Sequence, residues 1–153
     1  MFSSSLVHTA LVSLAILTAG CATTSKALID EDLEAKNFSI DPEVGVVYLY
    51  RGKGVYAAAV QYPVKINGVE VGGTGPGTYF RWELPPGKYQ FASHTFESSS
   101  IVEIDVEPNE LYFIRQGIRM GVADSRITLK QVDMMVGKSK VSSYKLLLSA
   151  YPY

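Results

Sequence analysis

A chain of 153 residues, 47% apolar and 19% charged, has room for one domain with a targeting segment and enough apolar surface for a core, which excludes a disordered acidic or basic chain. Its formal net charge of −1 supplies no basic excess for a phosphate backbone, so nucleic acid is not an expected partner. One cysteine and two histidines exclude an internal disulfide and a cysteine metal cage, and no metal or other cofactor is expected.

Between Leu6 and Gly20 only His8 can carry a charge. The apolar run Leu11 to Leu17 is too short to cross a hydrocarbon core of ~30 Å and has the length of a signal-peptide h-region. Leu17-Thr18-Ala19-Gly20-Cys21 follows it. This stretch resembles the lipobox of bacterial lipoprotein signal peptides. The resemblance implies that the Cys21 thiol is diacylated, that residues 1–20 are removed as a signal peptide, and that the new amine is acylated. Ala19 and Gly20 would be small because the peptidase must reach an extended backbone beside the thiol. Two or three acyl chains anchor durably where one binds marginally. Met1-Phe2-Ser3-Ser4-Ser5 departs from the pattern by lacking Lys or Arg. Ala22 stands where Asp would resemble an inner-membrane retention signal, which points to the outer membrane, facing the periplasm. The plainer alternative is a small residue behind an ordinary signal peptide or an uncleaved anchor.

Residues 21–43 read as the lipidated cysteine and a tether. Lys26 to Lys36, with Asp30, Glu31, Asp32 and Glu34, could form a short helix with Leu28 and Leu33 inward, ended by Asp41-Pro42. Residues 44–153 read as the folded domain. Gly45 to Arg51 is a near-continuous apolar run, as in a central strand. Pro63 to Ile66, Asn67-Gly68 and Val69 to Val71 form a hairpin signal, since both turn residues tolerate positive φ. Gly72 to Gly77 reads as a loop. From Tyr79 to Leu84 the chain alternates, placing Phe80, Trp82 and Leu84 inward and Tyr79, Arg81 and Glu83 outward. Pro85-Pro86-Gly87 turns into a strand on which Tyr89 and Phe91 share a face. Val102, Ile104 and Val106 mark the next strand, Leu111 to Met120 another, and Ile127 with Leu129 a further one. Val141, Tyr144 and Leu148 at i, i+3 and i+7 suggest a short C-terminal helix, with Lys138, Lys140 and Lys145 on a solvated face. The expected fold is an all-β sandwich of seven or eight strands with that helix, and an open barrel is the alternative.

The run Pro63-Val64-Lys65-Ile66-Asn67-Gly68-Val69-Glu70-Val71-Gly72, followed after a loop by Leu84-Pro85-Pro86-Gly87-Lys88-Tyr89, resembles the PEGA-type surface-layer pattern. With Val47 to Arg51 upstream and Glu110 to Ile114 downstream, residues 44 to 148 resemble a family of uncharacterised bacterial lipoproteins known only as a domain of unknown function. The resemblance implies an Ig-like, PEGA-like β-sandwich and an envelope location, and it brings no catalytic residues.

Candidate chemistry is sparse. The glycine loop at 72–77 lacks the Gly-Lys-Ser/Thr and following helix of a phosphate cradle. His94, Ser98, Ser99, Ser100 and Asp105 lie too close along one hairpin to converge as a triad. Glu83 sits on the solvent face of one strand, and Glu103 and Asp105 on that of another, so nothing brings a carboxylate pair together across them. Arg115 and Arg119, four apart in one extended segment with Gly117 between them, share a face and would suit an anionic glycan, lipid headgroup or peptide carboxylate, unless cross-strand Glu or Asp neutralise them. Tyr79 and Arg81 would stand together on an outward face as a second binding surface. The expected function is a non-enzymatic, lipid-anchored envelope module that binds or scaffolds, with an envelope protein or glycan as partner and the membrane held through Cys21. An accessory subunit pairing through an edge strand and a small envelope hydrolase are the alternatives.

Overall fold

A computed structural model describes residues 23–152; Cys21 and the signal segment lie outside the described residues. The elements are α1 (Ile29–Ala35), β1 (Gly45–Arg51), β2 (Tyr62–Ile66), β3 (Val69–Thr74), β4 (Thr78–Leu84), β5 (Gly87–His94), β6 (Ser99–Val106), β7 (Leu111–Met120), β8 (Ser125–Val132), α2 (Met134–Val141) and β9 (Lys145–Leu146). The strands form two sheets, ordered β8-β7-β1-β4-β9 and β3-β2-β5-β6. This is the expected β-sandwich, with a ninth strand of two residues. The five-stranded sheet is mixed, because β1 pairs antiparallel with β4 and parallel with β7.

β1 is buried along its whole length, which accounts for its unbroken apolar sequence. Val47 and Leu49 face the second sheet and pack with Phe80, Trp82, Phe91 and Ile114. Val46, Tyr48 and Tyr50 face the other way and pack with Tyr79 and Phe113 beneath the two helices. The molecule is therefore three layers deep: helices, mixed sheet, antiparallel sheet. Asn67 and Gly68, at φ 48° and 82°, make the two-residue turn between β2 and β3.

Side chains stitch the sandwich edges. Ser98 and Ser100 Oγ accept from the backbone N–H groups of Ile127 and Leu129, both at 2.8 Å, joining β6 to β8. At the other edge Ala150 N–H donates to Val71 O at 2.9 Å.

Three expectations are corrected. The acidic segment expected as a tether lies on the fold: Ala27 N–H donates to Leu146 O at 3.0 Å, and the Tyr48 hydroxyl donates to Ala35 O at 2.7 Å. α1 forms, but Leu28 and Leu33 are exposed, while Asp32 and Ala35 are buried. The reason is polar: Asp32 Oδ1 accepts from the Tyr79 hydroxyl and from Leu146 N–H, both at 2.9 Å, so a carboxylate seats the helix. Tyr79, expected outward, is fully buried by this contact.

The C-terminal helix comes earlier than expected. Asp133 caps it by accepting from Met135 N–H at 2.8 Å, and it ends at Val141. Gly137 seats it, since a Cβ there would collide with the Phe113 ring. Tyr144 is buried beyond the helix end and Leu148, past β9, is half exposed, so of the expected stripe only Val141 lies on the helix.

Candidate functional site

The helix layer covers only part of the mixed sheet. Where it stops, β7 continues past the buried Phe113 with Arg115, Gly117 and Arg119 on the same face. Their cross-strand neighbours on β8 decide the electrostatics. Arg115 stands opposite Lys130, and Arg119 opposite Arg126. No Glu or Asp stands at these positions; among the described residues Arg126 is paired with Glu97 at 2.6 Å, while no carboxylate forms an ion pair with Arg115, Arg119 or Lys130. Like charges directly opposite disfavour the sheet by a few tenths to about 1 kcal/mol, a cost that an anion between Arg115 and Lys130 would reverse.

Three recesses share Arg115. The largest, about 520 Å³, lies between Tyr50, Lys53, Lys140 and Tyr144. Smaller ones of about 140 Å³ and 270 Å³ extend it toward Arg51 and Arg119. None of the three is lined by Asp or Glu. Gly117 keeps the floor open, since a Cβ there would meet the Thr128 hydroxyl. The Lys53 ammonium sits 5.5 Å from the Tyr144 ring centroid, which places its charge beside the largest recess.

Arg51 shapes the rim. It is buried to 3% exposure without a carboxylate partner. Its guanidinium donates to Val60 O at 2.6 Å, Ala57 O at 2.8 Å and Thr74 O at 3.2 Å, and lies 5.0 Å from the Tyr62 ring centroid. Burial draws its pKa down, yet a guanidinium stays charged in this setting. It ties down the loop 52–61 that carries Lys53. Burial likewise raises the pKa of Tyr50 at the floor, keeping it a neutral hydroxyl beside Arg115. A groove with this lining can bind and orient an anionic group by charge and hydrogen bonding.

Arg81 is separate from the groove. It is partly buried, donates to Glu83 at 2.7 Å and to the Tyr48 hydroxyl at 3.2 Å, and its neighbour Tyr79 is taken by Asp32. The exposed Tyr79–Arg81 surface expected from alternation therefore does not form. The hairpin serines also have other work, since Ser98 and Ser100 hold β8. Asp105 stands opposite Lys88 in the register, near the far end of the hairpin from His94.

Sequence reasoning found Arg115, Arg119 and the room at Gly117, and missed Arg51, Lys53, Lys130 and Lys140. An arginine ending an otherwise apolar strand was a usable signal for Arg51. Lys130 needed the β7–β8 register, and Lys140 needed the placement of α2.

Comparison with known proteins finds matches over most of the described chain. A family model described as "Protein of unknown function (DUF2846)" matches residues 28–128. A curated relative from Haemophilus influenzae, described as an uncharacterized protein, is 28% identical over 141 residues, covering 91% of this chain and 83% of the relative. The matched segment includes α1, Arg51, Lys53, Arg115 and Arg119.

Proposed function

The chain belongs to the DUF2846 family, and from that premise we propose that it is a lipoprotein of the bacterial cell envelope, anchored through Cys21, whose domain is a non-enzymatic module binding an anionic group in the Arg115 groove. The observation that carries the binding reading is the register that sets Arg115 against Lys130, with Arg119 on the same face, in recesses lined by no acidic residue. The lipobox-like Leu17-Thr18-Ala19-Gly20-Cys21 supports the anchor, and Ala22 supports the outer membrane, with the domain facing the periplasm. The β-rich sandwich is compatible with a PEGA-like module. The partner on this reading is an envelope protein or glycan bearing carboxylate or phosphate. Pairing through an edge strand has less support, because both sandwich edges are occupied by side chains and terminal segments.

The test is capture from detergent-solubilised envelopes. Wild-type protein should retain an anionic component that elutes as salt is raised, since exposed charge interactions are screened. The double substitution Arg115→Gln, Arg119→Gln should keep the fold, because both side chains are exposed, and should lose that capture. Capture that is unchanged and insensitive to salt would contradict the groove's role.

A further inference from the structure

At one end of the sandwich β1, β3, β5 and β7 finish, and β2, β4, β6 and β8 begin. The loops there carry large apolar side chains almost wholly in solvent: Val55 at 96% exposure, Phe96 at 91% and Val122 at 90%. Met120 is exposed beside Val122. Single exposed hydrophobics are ordinary on a protein surface, but several on adjoining loops at one pole form a patch that calls for a partner.

These loops are held, not frayed. Glu97 Oε2 accepts from three successive backbone N–H groups, Val122 at 2.7 Å, Ala123 at 2.8 Å and Asp124 at 3.0 Å, while its Oε1 meets Arg126 at 2.6 Å. Asp124 accepts from Phe96 N–H at 2.9 Å. The Tyr62 and Tyr56 hydroxyls both meet Ser125 Oγ. Both carboxylates of the pole thus turn into loop backbone, leaving the apolar tips foremost. Lys53 and Arg119 stand behind them on the groove side.

The start of the described chain identifies the occupant. Thr24 N–H donates to Gln61 at 3.1 Å, and its hydroxyl accepts from Gly73 N–H at 2.6 Å. Gln61 and Gly73 adjoin Tyr62 and Thr74, the residues of β2 and β3 nearest this pole. Cys21 lies two residues before Thr23, and two residues reach at most about 7 Å. A diacylated Cys21 would therefore bring the bilayer to this corner of the fold.

We propose that this pole is a membrane-docking face. Val55, Phe96 and Val122 enter the boundary between headgroups and acyl chains, and Lys53 and Arg119 lie at headgroup level. The anchor then fixes orientation as well as location. This rests on the lipid-anchor reading of Cys21.

The experiment uses the mature protein extracted from membranes, placed in phosphatidylcholine–phosphatidylglycerol vesicles whose acyl chains are brominated. Trp82 is buried and gives a constant background. Phe96→Trp and Val122→Trp place reporters at the pole, and Val69→Trp places one by the turn at the opposite end. Emission from 96 and 122 should be quenched and blue-shifted, with 69 matching the solvent-exposed reference. Equal weak quenching at all three positions in protein that floats with the vesicles would overturn the docking face and leave the anchor standing. Protein that fails to float, with Cys21 unmodified, would overturn both.

Discussion

Between its sheets the protein packs aliphatic side chains around Trp82, Phe80 and Phe91; beneath its helices it packs Tyr48, Tyr50, Tyr79 and Tyr144 with Phe113. The inner layer is apolar around these rings and turns polar toward the Arg51 end, where Thr74 donates to Gln116 and Gln116 to Ser93. The outer layer uses the polar ends of its rings, with Tyr48 bonded to the Ala35 carbonyl and Tyr79 to Asp32. The difference teaches how a sheet buries its second face with little added chain. A seven-residue helix is too short to stand alone, and hydroxyl contacts from the sheet give it a defined seat.

The comparison can be broken most forcefully from the inner side. Trp82→Ala removes a fully buried indole that also donates to Ser149 at 2.7 Å, and should cost about 3–5 kcal/mol by chemical denaturation. Both layers should then unfold together. Asp32→Ala attacks the outer layer alone. It leaves the Tyr79 hydroxyl and Leu146 N–H without their acceptor and should cost about 2 kcal/mol. Hydrogen exchange should rise across α1 and β9 while β1 and β4 stay protected. Equal loss of protection in both layers would show that they are one cooperative unit. Tyr48→Phe deletes one hydroxyl that donates to Ala35 O and accepts from Arg81 Nε, and should cost about 1 kcal/mol.

Acid sharpens the contrast with a smaller effect. Burial raises the Asp32 carboxyl, but the Lys36, Tyr79 and Leu146 hydrogen bonds outweigh it and hold its pKa below the ordinary range. Glu97 is drawn from the ordinary 4.5 to about 2 by the Asp124, Ala123 and Val122 N–H groups together with Arg126. A depressed carboxylate pKa means that its stabilisation is complete above the unfolded value and is withdrawn as pH falls toward the folded one. Melting temperature should therefore decline as pH drops from about 4.5 toward 2, and Glu97→Gln should flatten that decline.

The inner layer was legible because one solvated face was assumed and period 2 sorted Phe80, Trp82 and Leu84 correctly. The outer layer was not, because the same assumption sent Tyr79 and Arg81 into solvent. The cover for that face came from a segment with the composition of a linker, seated by Asp32 where apolar spacing pointed to Leu28 and Leu33. The groove was half legible for a related reason. Arg115 and Arg119 share a face by spacing alone, but the absence of acids across from them is a fact of register.

The proposed anchor at Cys21 would decide where the groove and the apolar pole operate, so the most direct measurement is the mass of the N-terminal peptide from protein extracted from membranes. The account predicts a peptide beginning at Cys21 whose mass includes a thioether-linked diacylglyceryl group and an acylated amine. A peptide bearing an unmodified Cys21 thiol would contradict it.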